Sequence, residues 1–581
     1  MPIPEPIYLT GKNLAFDEAS AMVARPLAEH ARTMAQGVYQ VAERFYVAVG
    51  YGNANMTMVD GADGVILIDS LENAEAAREA LADLRRFSDK PVRALIYTHS
   101  HPDHSSGSRG LIDPADIERG HVEIYAHERL LAGMRGNPSL GIINPARLAY
   151  SFGWGLERGA DGLVEVGLGP LLRAGTTGFL PPTMTFRESL DIEVAGIHVQ
   201  MHAAPSESDD EIVLWFPDGR VLHSADVIQG ECLANLYALR GAIRDIWQWI
   251  GAVDLLRGFN AQALIFGHGR PLTGRDDVRE TLTAYRDAMQ YIHDQTVRLM
   301  ARGLTPDELV EAVSELPPRL RGHPWLGEFY GTVTQIVRQV YASTFGWFEG
   351  DPTFIDPLPR GERSERYVNA MGGRDAVVAA AEQAHAGGDY RWTAEILTHL
   401  LRMAPDDRQA RELKADALRQ LGYQASNPIW RNNYLVAAKE LDGTLDQAGI
   451  VATIRSLANP DVAATMSIPL LLRALATRLN PARSEGLYIH AGFHCTDSGA
   501  SYGFAVRSDV ADALAEAPAG ASLVIETTEP ALRSLLAGRV AWQRAVEDGA
   551  ATLTSGSEED VERFWSVFDP PMGELPAIAL R

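Results

Sequence analysis

The strongest constraint on the fold is a polar stretch at residues 98–104, Thr-His-Ser-His-Pro-Asp-His, which directly follows an apolar run at 92–97. An earlier apolar run, Val65–Ile68, is typical of a buried strand, and Asn73 can cap the helix that follows it. Strand, helix and strand in this order indicate an α/β fold, in which polar residues after the carboxyl end of a strand commonly carry chemistry. We therefore expect an α/β domain with its site at this strand end.

Four potential metal ligands lie within the polar stretch: His99, His101, Asp103 and His104. Imidazole nitrogen and carboxylate oxygen together suit borderline-soft divalent ions such as Zn²⁺. A loop after a strand can direct these side chains toward two adjacent ions, whereas a helix would scatter them. The alternative is a solvated polar loop whose histidines make incidental hydrogen bonds. The pattern favours the metal site.

Further donors occur in later turns, each at the end of an apolar or strand-like run. They are Glu207, Asp226 and His268. A strand delivers Asp226 and His268, whereas Glu207 by itself is typical of an exposed acidic loop. His202 and His223 lie close by in the sequence and are interpreted as spare ligands, as supports of ligands or as structural residues.

Composition and charge exclude several classes of protein. The 581 residues include 52 Lys and Arg against 76 Asp and Glu, a net charge of −24, which argues against a nucleic-acid binder. Any bound anion must therefore be held by a local cluster of Arg, Lys or metal. Cys232 and Cys495 belong to no CxxC pair, so neither a disulfide framework nor a thiolate zinc site is expected. We see no signal-peptide pattern and no apolar run near the length of a membrane span, and so expect a cytoplasmic protein without integral membrane association.

The sequence pattern changes twice along the chain, and the length predicts three or four domains. From about 280 to 440 it is helical, with a capped helix start at Thr305 and with Tyr390 and Tyr423 spaced 33 residues apart, near the tetratricopeptide period. After about 450 a compact α+β unit is predicted. Its strands are expected at 487–493, 501–506 and 523–525, and a helix at 530–537.

The order of the motifs resembles the metallo-β-lactamase superfamily: HxHxDH, a Pro-containing turn, an aspartate after a strand, and Gly-His-Gly. Most of that superfamily has a histidine in the Pro-containing turn. Glu207 at this position is similar to the class III alkylsulfatases, which also carry an asparagine and an arginine in a stretch like 233–245. The resemblance covers nearly the whole chain.

This resemblance implies three domains and a homodimer. Residues 1–282 would form a catalytic domain with the metallo-β-lactamase αββα sandwich. Residues 283–445 would form an all-α dimerisation domain with tetratricopeptide-like helix pairs. Residues 455–581 would form a C-terminal α+β sterol-carrier-like domain.

The resemblance also implies a binuclear site with two zinc ions per chain. Its ligands would be His99, His101 and Glu207 for one ion, Asp103, His104 and His268 for the other, and Asp226 between them. Asn235 and Arg240 would bind the sulfate, and the alternative for Arg240 is an ion pair with a nearby acid. The family usually has glutamate where Asp226 stands and glycine where Ser106 stands.

The activity that this implies is hydrolysis of alkyl sulfate esters to alcohol and inorganic sulfate by zinc-activated water. The catalytic residues would be Asp103, Asn235 and Arg240, and aromatic residues at 150–154, 179 and 237 are candidates for an alkyl groove or for ordinary core. One alternative is another hydrolase on this scaffold, acting on a lactone, thioester or phosphodiester; such enzymes usually keep histidine at the position of Glu207. The other is a lipid-binding or assembly protein with a vestigial metal site.

Overall fold

The computed structural model describes residues 3–13, 20–141, 143–241, 243–571 and 575–579. The chain divides into two compact units, which are described separately. The first comprises the described parts of 1–133, 147–459 and 577–581, and the second those of 134–146 and 460–576.

An eight-stranded sheet carries the predicted strand–helix–strand pattern. Its strands, in spatial order, are β1 (Pro6–Leu9), β2 (Gly37–Ala42), β3 (Phe45–Val49), β4 (Met56–Asp60), β5 (Val65–Ile68), β6 (Val92–Ile96), β7 (Glu123–His127) and β8 (Met184–Phe186). The strands from β5 to β8 are parallel. Asn73 caps the helix between β5 and β6 as predicted, since its side chain accepts the Ala76 N–H at 2.8 Å.

A six-stranded sheet packs against the first. Its strands are β9 (Ser189–Val194), β10 (Ile197–Ala203), β11 (Ile212–Phe216), β12 (Val221–His223), β13 (Ala263–Ile265) and β14 (Leu272–Thr273). The facing sides share one apolar core, which includes Val47 and Ile96 from the first sheet and Leu214 and Ile265 from the second.

Helices occur between the strands along the chain. They are α1 (Arg25–Thr33), α2 (Ala74–Leu84), α3 (Pro102–Ser105), α4 (Pro114–Glu118), α5 (Leu130–Arg135), α6 (Ile143–Ser151) and α7 (Ile246–Gly258), with 3₁₀ turns at Ser108–Gly110 and Pro138–Leu140. Helix α2 contacts β3 and β4, and α7 shares a core with residues of the second sheet. The order helix, sheet, sheet, helix confirms the predicted αββα sandwich.

A helical segment follows the sandwich in the same unit. It contains α8 (Arg275–Met300), α9 (Pro306–Ala312), α10 (Val333–Phe345), α11 (Arg360–Ala370), α12 (Arg374–Ala386), α13 (Tyr390–Met403), α14 (Arg408–Gln424), α15 (Pro428–Asp442) and α16 (Gln447–Leu457), with a 3₁₀ turn at Pro352–Phe354. Thr305 and Glu308 form the predicted cap of α9. Tyr390 begins α13 whereas Tyr423 lies at the end of α14, so their spacing does not mark equivalent positions of a repeat.

The second unit is built on a five-stranded sheet in the order β17-β16-β15-β18-β19. Its elements are α17 (Pro460–Ala464), α18 (Ile468–Ala476), α19 (Pro481–Ser484), β15 (Tyr488–Cys495), β16 (Ser501–Arg507), β17 (Val510–Leu514), β18 (Leu523–Thr527), α20 (Glu529–Leu536), α21 (Trp542–Glu547), β19 (Ala551–Ser555) and α22 (Glu558–Ser566). The predicted strands and helix correspond to β15, β16, β18 and α20, whereas β17 and β19 were not predicted. Every helix among the described residues is too short or too polar to cross a membrane.

Candidate metal centre

Strands of both sheets deliver polar side chains to one edge of the sandwich. Asp69 directly follows β5, and His99 lies three residues after β6. In the second sheet Glu207, Asp226 and His268 follow β10, β12 and β13, which run in the same direction. The carboxyl-end rule therefore predicts the position of these side chains correctly.

The polar stretch differs from the loop expected from the sequence, because its second half is one helical turn. His101 precedes α3, and Asp103 and His104 lie within it. This turn aims His104 back under the sheet edge, where it is fully buried, while His101 and Asp103 stay partly exposed. A single turn gathers the ligands that a longer helix would have scattered.

Two groups of three side chains could each hold a metal ion, with ligand atoms within 4.8 Å of one another. The groups are His99, His101 and Asp226, and Asp103, His104 and His268. In the first group His99 Nε2 lies 2.9 Å from His101 Nδ1, and in the second His104 Nε2 lies 3.2 Å from His268 Nε2.

Asp226 belongs to the first group and also lies close to two histidines of the second. Its Oδ2 lies 3.0 Å from His268 Nε2, 3.6 Å from His104 Nε2 and 3.9 Å from His99 Nε2. Its Oδ1 is buried without a hydrogen-bond partner among the described residues. Asp226 Oδ1 can lie close to the backbone of Gly267 because this residue has no side chain. A Cβ at this position would lie 2.0 Å from Oδ1.

Asp69 orients two of the histidines. The sequence pattern had not been interpreted as giving it a role at this site. Its Oδ2 accepts hydrogen bonds from His104 Nδ1 at 2.7 Å and from the Thr98 hydroxyl at 2.8 Å. Thr98 Oγ1 in turn lies 3.1 Å from His99 Nδ1 and can accept its proton. Because both Nδ1 atoms are occupied in this way, the Nε2 lone pairs of His99 and His104 face the centre. Asp69 follows an apolar strand, the same signal that identified Asp226.

Asn53 supports the second group from the β3–β4 connection. Its Nδ2 donates to Asp103 Oδ2 at 2.6 Å, and its backbone oxygen accepts from His268 Nδ1 at 2.8 Å. This contact leaves His268 Nε2 free to face the centre. No sequence signal pointed to Asn53, because it lies 50 residues from Asp103.

Glu207 lies beside these groups but outside both of them. Its Oε1 accepts from Arg244 Nη2 at 2.5 Å, and its Oε2 accepts from Gln229 Nε2 at 2.5 Å. Arg244 and Gln229 are buried and were not singled out in the sequence. Burial raises the pKa of Glu207 to about 7, and Arg244 opposes this rise.

Glu211 joins the two loops that carry the predicted carboxylate ligands. It accepts the backbone N–H of Asp226 at 2.6 Å and that of Glu207 at 3.0 Å. Burial raises the pKa of Glu211 well above its usual value. The Glu211 side chain is completely buried, so it holds both loops from the interior of the domain.

Of the two predicted sulfate ligands, Arg240 lies close enough to His101 to affect its pKa. The Asn235 backbone contacts Gln229 and Arg244, which both bind Glu207. Asn235 is buried, and Arg240 is half-buried with its Nη1 3.3 Å from the hydroxyl of Tyr330. Arg240 helps to lower the pKa of His101, although burial is the larger cause and brings that pKa to about 3. Tyr330 was missed because it lies in the stretch assigned to dimerisation.

The predicted groove residues have different environments. Phe152 lies beside Arg240, with its ring centre 5.7 Å from the guanidinium carbon. Tyr150 is buried and donates its hydroxyl proton to Glu440. Phe179 is buried against Tyr97. All three side chains are buried, and of the three Phe152 is the one that contacts a proposed sulfate ligand.

His202 and His223 belong to neither group. His223 Nδ1 accepts the backbone N–H of Ala225 at 3.2 Å and so supports the turn before Asp226. His202 packs on Phe259 with the ring centres 5.3 Å apart. Both are structural residues.

The electrostatics of the centre differ between its histidines. Burial, reinforced by its histidine neighbours, lowers the pKa of His99 well below its usual value. Burial would raise the pKa of Asp226, but His268 and His104 outweigh it and hold that pKa well below the usual range. Burial would lower the pKa of His104 and of His268, but Asp226 in turn helps to raise both above the usual value. A divalent ion binds neutral imidazoles and ionised carboxylates, so its binding would displace a proton from these two histidines but not from His99. The converging Nε2 atoms and the unpartnered Asp226 Oδ1 therefore fit a metal centre.

Three family models match the chain. The metallo-beta-lactamase superfamily matches residues 49–268, alkyl sulfatase dimerisation matches 305–444, and the alkyl sulfatase C-terminal family matches 456–576. The matched segments follow one another in the order of the sandwich, the helical segment and the second unit.

Individual relatives agree with these matches. A linear primary-alkylsulfatase from Pseudomonas sp. is 40% identical over 521 residues, which cover 88% of this chain and 98% of the relative. An (R)-specific secondary-alkylsulfatase from Pseudomonas sp. is 31% identical, with 92% and 81% covered. The solved structure of the stereoselective inverting sec-alkylsulfatase Pisa1 from Pseudomonas sp. is 29% identical with a TM-score of 0.86, covering 96% of this chain and 90% of that one. The chain belongs to the alkylsulfatase family of the metallo-β-lactamase superfamily.

Proposed function

We propose that the chain hydrolyses alkyl sulfate esters to an alcohol and inorganic sulfate at a centre of two zinc ions. The observation that carries this proposal is the pair of three-residue ligand groups. Asp226 belongs to the first group, and its Oδ2 also lies within 4 Å of His104 and His268 of the second. Membership of the alkylsulfatase family supports the substrate class.

We assign His99, His101 and Glu207 to the first ion and Asp103, His104 and His268 to the second, with Asp226 serving both. Asp226 Oδ2 lies within 4 Å of imidazole nitrogens from both groups, which supports a bridging role. Glu207 can bind the first ion through one carboxylate oxygen while the other oxygen remains paired with Arg244. When bound, two zinc ions supply a water of lowered pKa and stabilise negative charge on the sulfate.

Arg240 and Asn235 would hold the sulfate against this centre. A guanidinium offers a planar fork of donors that matches an oxyanion. The Tyr330 hydroxyl and the Phe152 ring keep Arg240 in place from two sides. The partly exposed His101, Asp103 and Arg240 mark the side from which a substrate can approach.

We further propose that two chains assemble through the helical segment as a homodimer. A run of large apolar side chains is exposed between α10 and α11. It contains Phe345, Trp347, Phe354 and Ile355, with exposures of 59%, 74%, 47% and 62%. Exposed large apolar side chains concentrated in one segment support an interaction surface, and the segment lies within the match to alkyl sulfatase dimerisation. We also propose that the three domains comprise residues 1–282, 283–445 and 455–581.

Sulfate release from dodecyl sulfate tests the proposed reaction. Protein stripped of metal with a chelator should release no sulfate, and reloading with Zn²⁺ should restore the release. The lactone, thioester and phosphodiester alternatives predict no release from zinc-loaded protein, as does a lipid-binding protein with a vestigial site.

A further inference from the structure

A cavity of about 270 Å³ lies in the sandwich away from the metal centre. It is formed around the residues that precede and begin β6 and β7, among them Val92 and Val122. The metal ligands follow the opposite, carboxyl end of β6. The cavity is therefore separate from the proposed catalytic site.

The polar lining of the cavity is mainly basic. Arg85, Arg93 and His121 contribute to it, and Asp116 is its acid. Asp116 already pairs with Arg119 at 3.6 Å and lies 3.5 Å from the His121 ring nitrogen. Within the part of the chain that the structure describes, neither Arg85 nor Arg93 forms an ion pair with a carboxylate. Asp89 acts on Arg85 as a nearby charge, but neither guanidinium is neutralised by direct contact with a carboxylate of the described residues.

Both arginines are held at the cavity by their surroundings. Arg85 Nη1 donates to the backbone oxygens of Ser88 and Lys90. The stem of Arg93 passes over Gly64, where a Cβ would lie 2.2 Å from its Cγ. Burial lowers the pKa of Arg85 and outweighs the opposing effect of Asp89, as expected for a desolvated cation that lacks a contacting carboxylate.

The rest of the lining is apolar. Ile112 and Val122 are each 5% exposed, and Val92 and Leu111 lie beside them. The volume is just below the range of about 300–1,000 Å³ for drug-sized ligands, so the occupant must be small. In a chain with a net charge of −24, long-range repulsion means that an anion binds only where basic groups cluster.

We propose that this cavity binds a small organic anion. Its sulfonate, sulfate or phosphate head would lie between Arg85 and Arg93, and its short apolar group would lie against Ile112 and Val122. This site is independent of the hydrolytic reaction, and nothing in the metal centre is needed for it.

Calorimetric titration with sodium hexane-1-sulfonate tests the proposal on the zinc-loaded chain. The probe carries an anionic head and a short chain, and its carbon–sulfur bond is not a sulfate ester. Arg93→Gln should weaken one binding event by about tenfold or more, the usual effect of losing a charged hydrogen-bond donor. Arg78→Gln is the matched control: it removes an exposed arginine on α2 and should change binding less than about twofold. Both variants should release sulfate from dodecyl sulfate at the wild-type rate, because neither residue lies at the metal centre.

Two further measurements keep the test decisive. Arg85→Gln should weaken the same event as Arg93→Gln, and Arg93→Lys should recover part of it, which excludes a general loss of folding. Inorganic sulfate should bind more weakly than hexane-1-sulfonate in this event. Equal binding by wild type, Arg85→Gln and Arg93→Gln, or no event in the wild type beyond one that is insensitive to these residues, would overturn the proposal.

Discussion

The Arg244 guanidinium binds both the side-chain carboxylate and the backbone oxygen of Glu207. Arg244 Nη2 lies 2.5 Å from Glu207 Oε1, and Nε donates to the Glu207 backbone oxygen at 2.9 Å. Nη1 donates to the backbone oxygen of Asn235. One buried guanidinium therefore ties the turn of a proposed metal ligand to the segment that is proposed to bind sulfate.

Replacing Arg244 by Gln should weaken metal binding at the first group and lower the stability of the chain. Loss of one partner leaves the other charge buried and unpaired, which typically costs about 3–5 kcal/mol. We expect the variant to lose one zinc ion during dialysis against a weak chelator, as measured by metal analysis. Arg338→Gln breaks an exposed pair with Asp307 and should retain both ions. Full zinc content in Arg244→Gln would contradict this role of the ion pair.

Asp69→Asn should lower metal affinity without removing a ligand. The variant loses the charge that orients His104 directly and His99 through Thr98. Loss of such a supporting carboxylate typically costs about 10–100-fold in metal affinity or activity. Competition with a zinc indicator measures the change, and Asp60→Asn, at the far end of β4, is the control. An unchanged affinity would show that Asp69 only supports the fold.

Arg240→Lys should lower kcat/KM for dodecyl sulfate strongly although the positive charge is kept. A lysine cannot offer the planar fork, and loss of one oxyanion donor typically costs about 10²–10³-fold in rate. Tyr330→Phe removes only the hydroxyl that positions Arg240, so a decrease of about tenfold or less is expected. Steady-state kinetics at fixed zinc content measures both, and the order would be reversed if Tyr330 rather than Arg240 contacted the sulfate.

His30 should make the thermal stability depend on pH. Its Nδ1 lies 2.8 Å from Glu165 Oε1; burial lowers the pKa of His30, but Glu165 and Cys232 outweigh burial and raise it well above its usual value. A raised folded-state pKa stabilises fully below the unfolded value of about 6.5, and this contribution is lost as the pH rises through the folded-state pKa.

The thermal midpoint of the wild type should therefore exceed that of His30→Gln by more at about pH 6 than at about pH 9. Differential scanning calorimetry at both values measures the difference. His198→Gln, an exposed histidine beside Asp191, is the control and should show little dependence. A constant difference for His30→Gln would argue that its effect is packing against Phe329 alone.

The exposed apolar run should control assembly. Trp347→Ser combined with Ile355→Ser removes the two most exposed members of this run and should convert a dimer to a monomer at micromolar concentration. Analytical ultracentrifugation measures the mass. Tyr488→Ser changes a side chain that is 73% exposed in the second unit and should leave the dimer intact. A monomeric wild type would refute the proposed assembly.

The sequence predicted those parts of the fold and site that local patterns determine. The run Val65–Ile68, the Asn73 cap and the Thr305 cap are all confirmed, because each depends on residues close together in the chain. Placement of Asp226 and His268 followed from strands that end just before them. The helical turn at Pro102–Ser105 was not expected, since four residues are too few for a periodic signal.

The supporting contacts could not be predicted because they join residues far apart in the sequence. Arg244 and Glu207 are separated by 37 residues, and Arg240 and Tyr330 by 90. The sequence around an arginine does not indicate which distant residue it will contact. Tyr330 in turn lies in a stretch whose composition indicates only a helical domain. Asp69 is different, because the rule used for Asp226 applies equally to it.

The most direct test of a catalytic centre with two zinc ions is sulfate release from dodecyl sulfate as a function of zinc bound per chain. Metal-free protein is loaded with zero, one or two equivalents of Zn²⁺, and bound metal and released sulfate are measured on the same samples. A centre of two zinc ions predicts no release without zinc and full release only as the second equivalent binds, with Asp226→Asn losing both metal and activity. Full release at zero or one equivalent, or an Asp226→Asn variant with wild-type release, would contradict it.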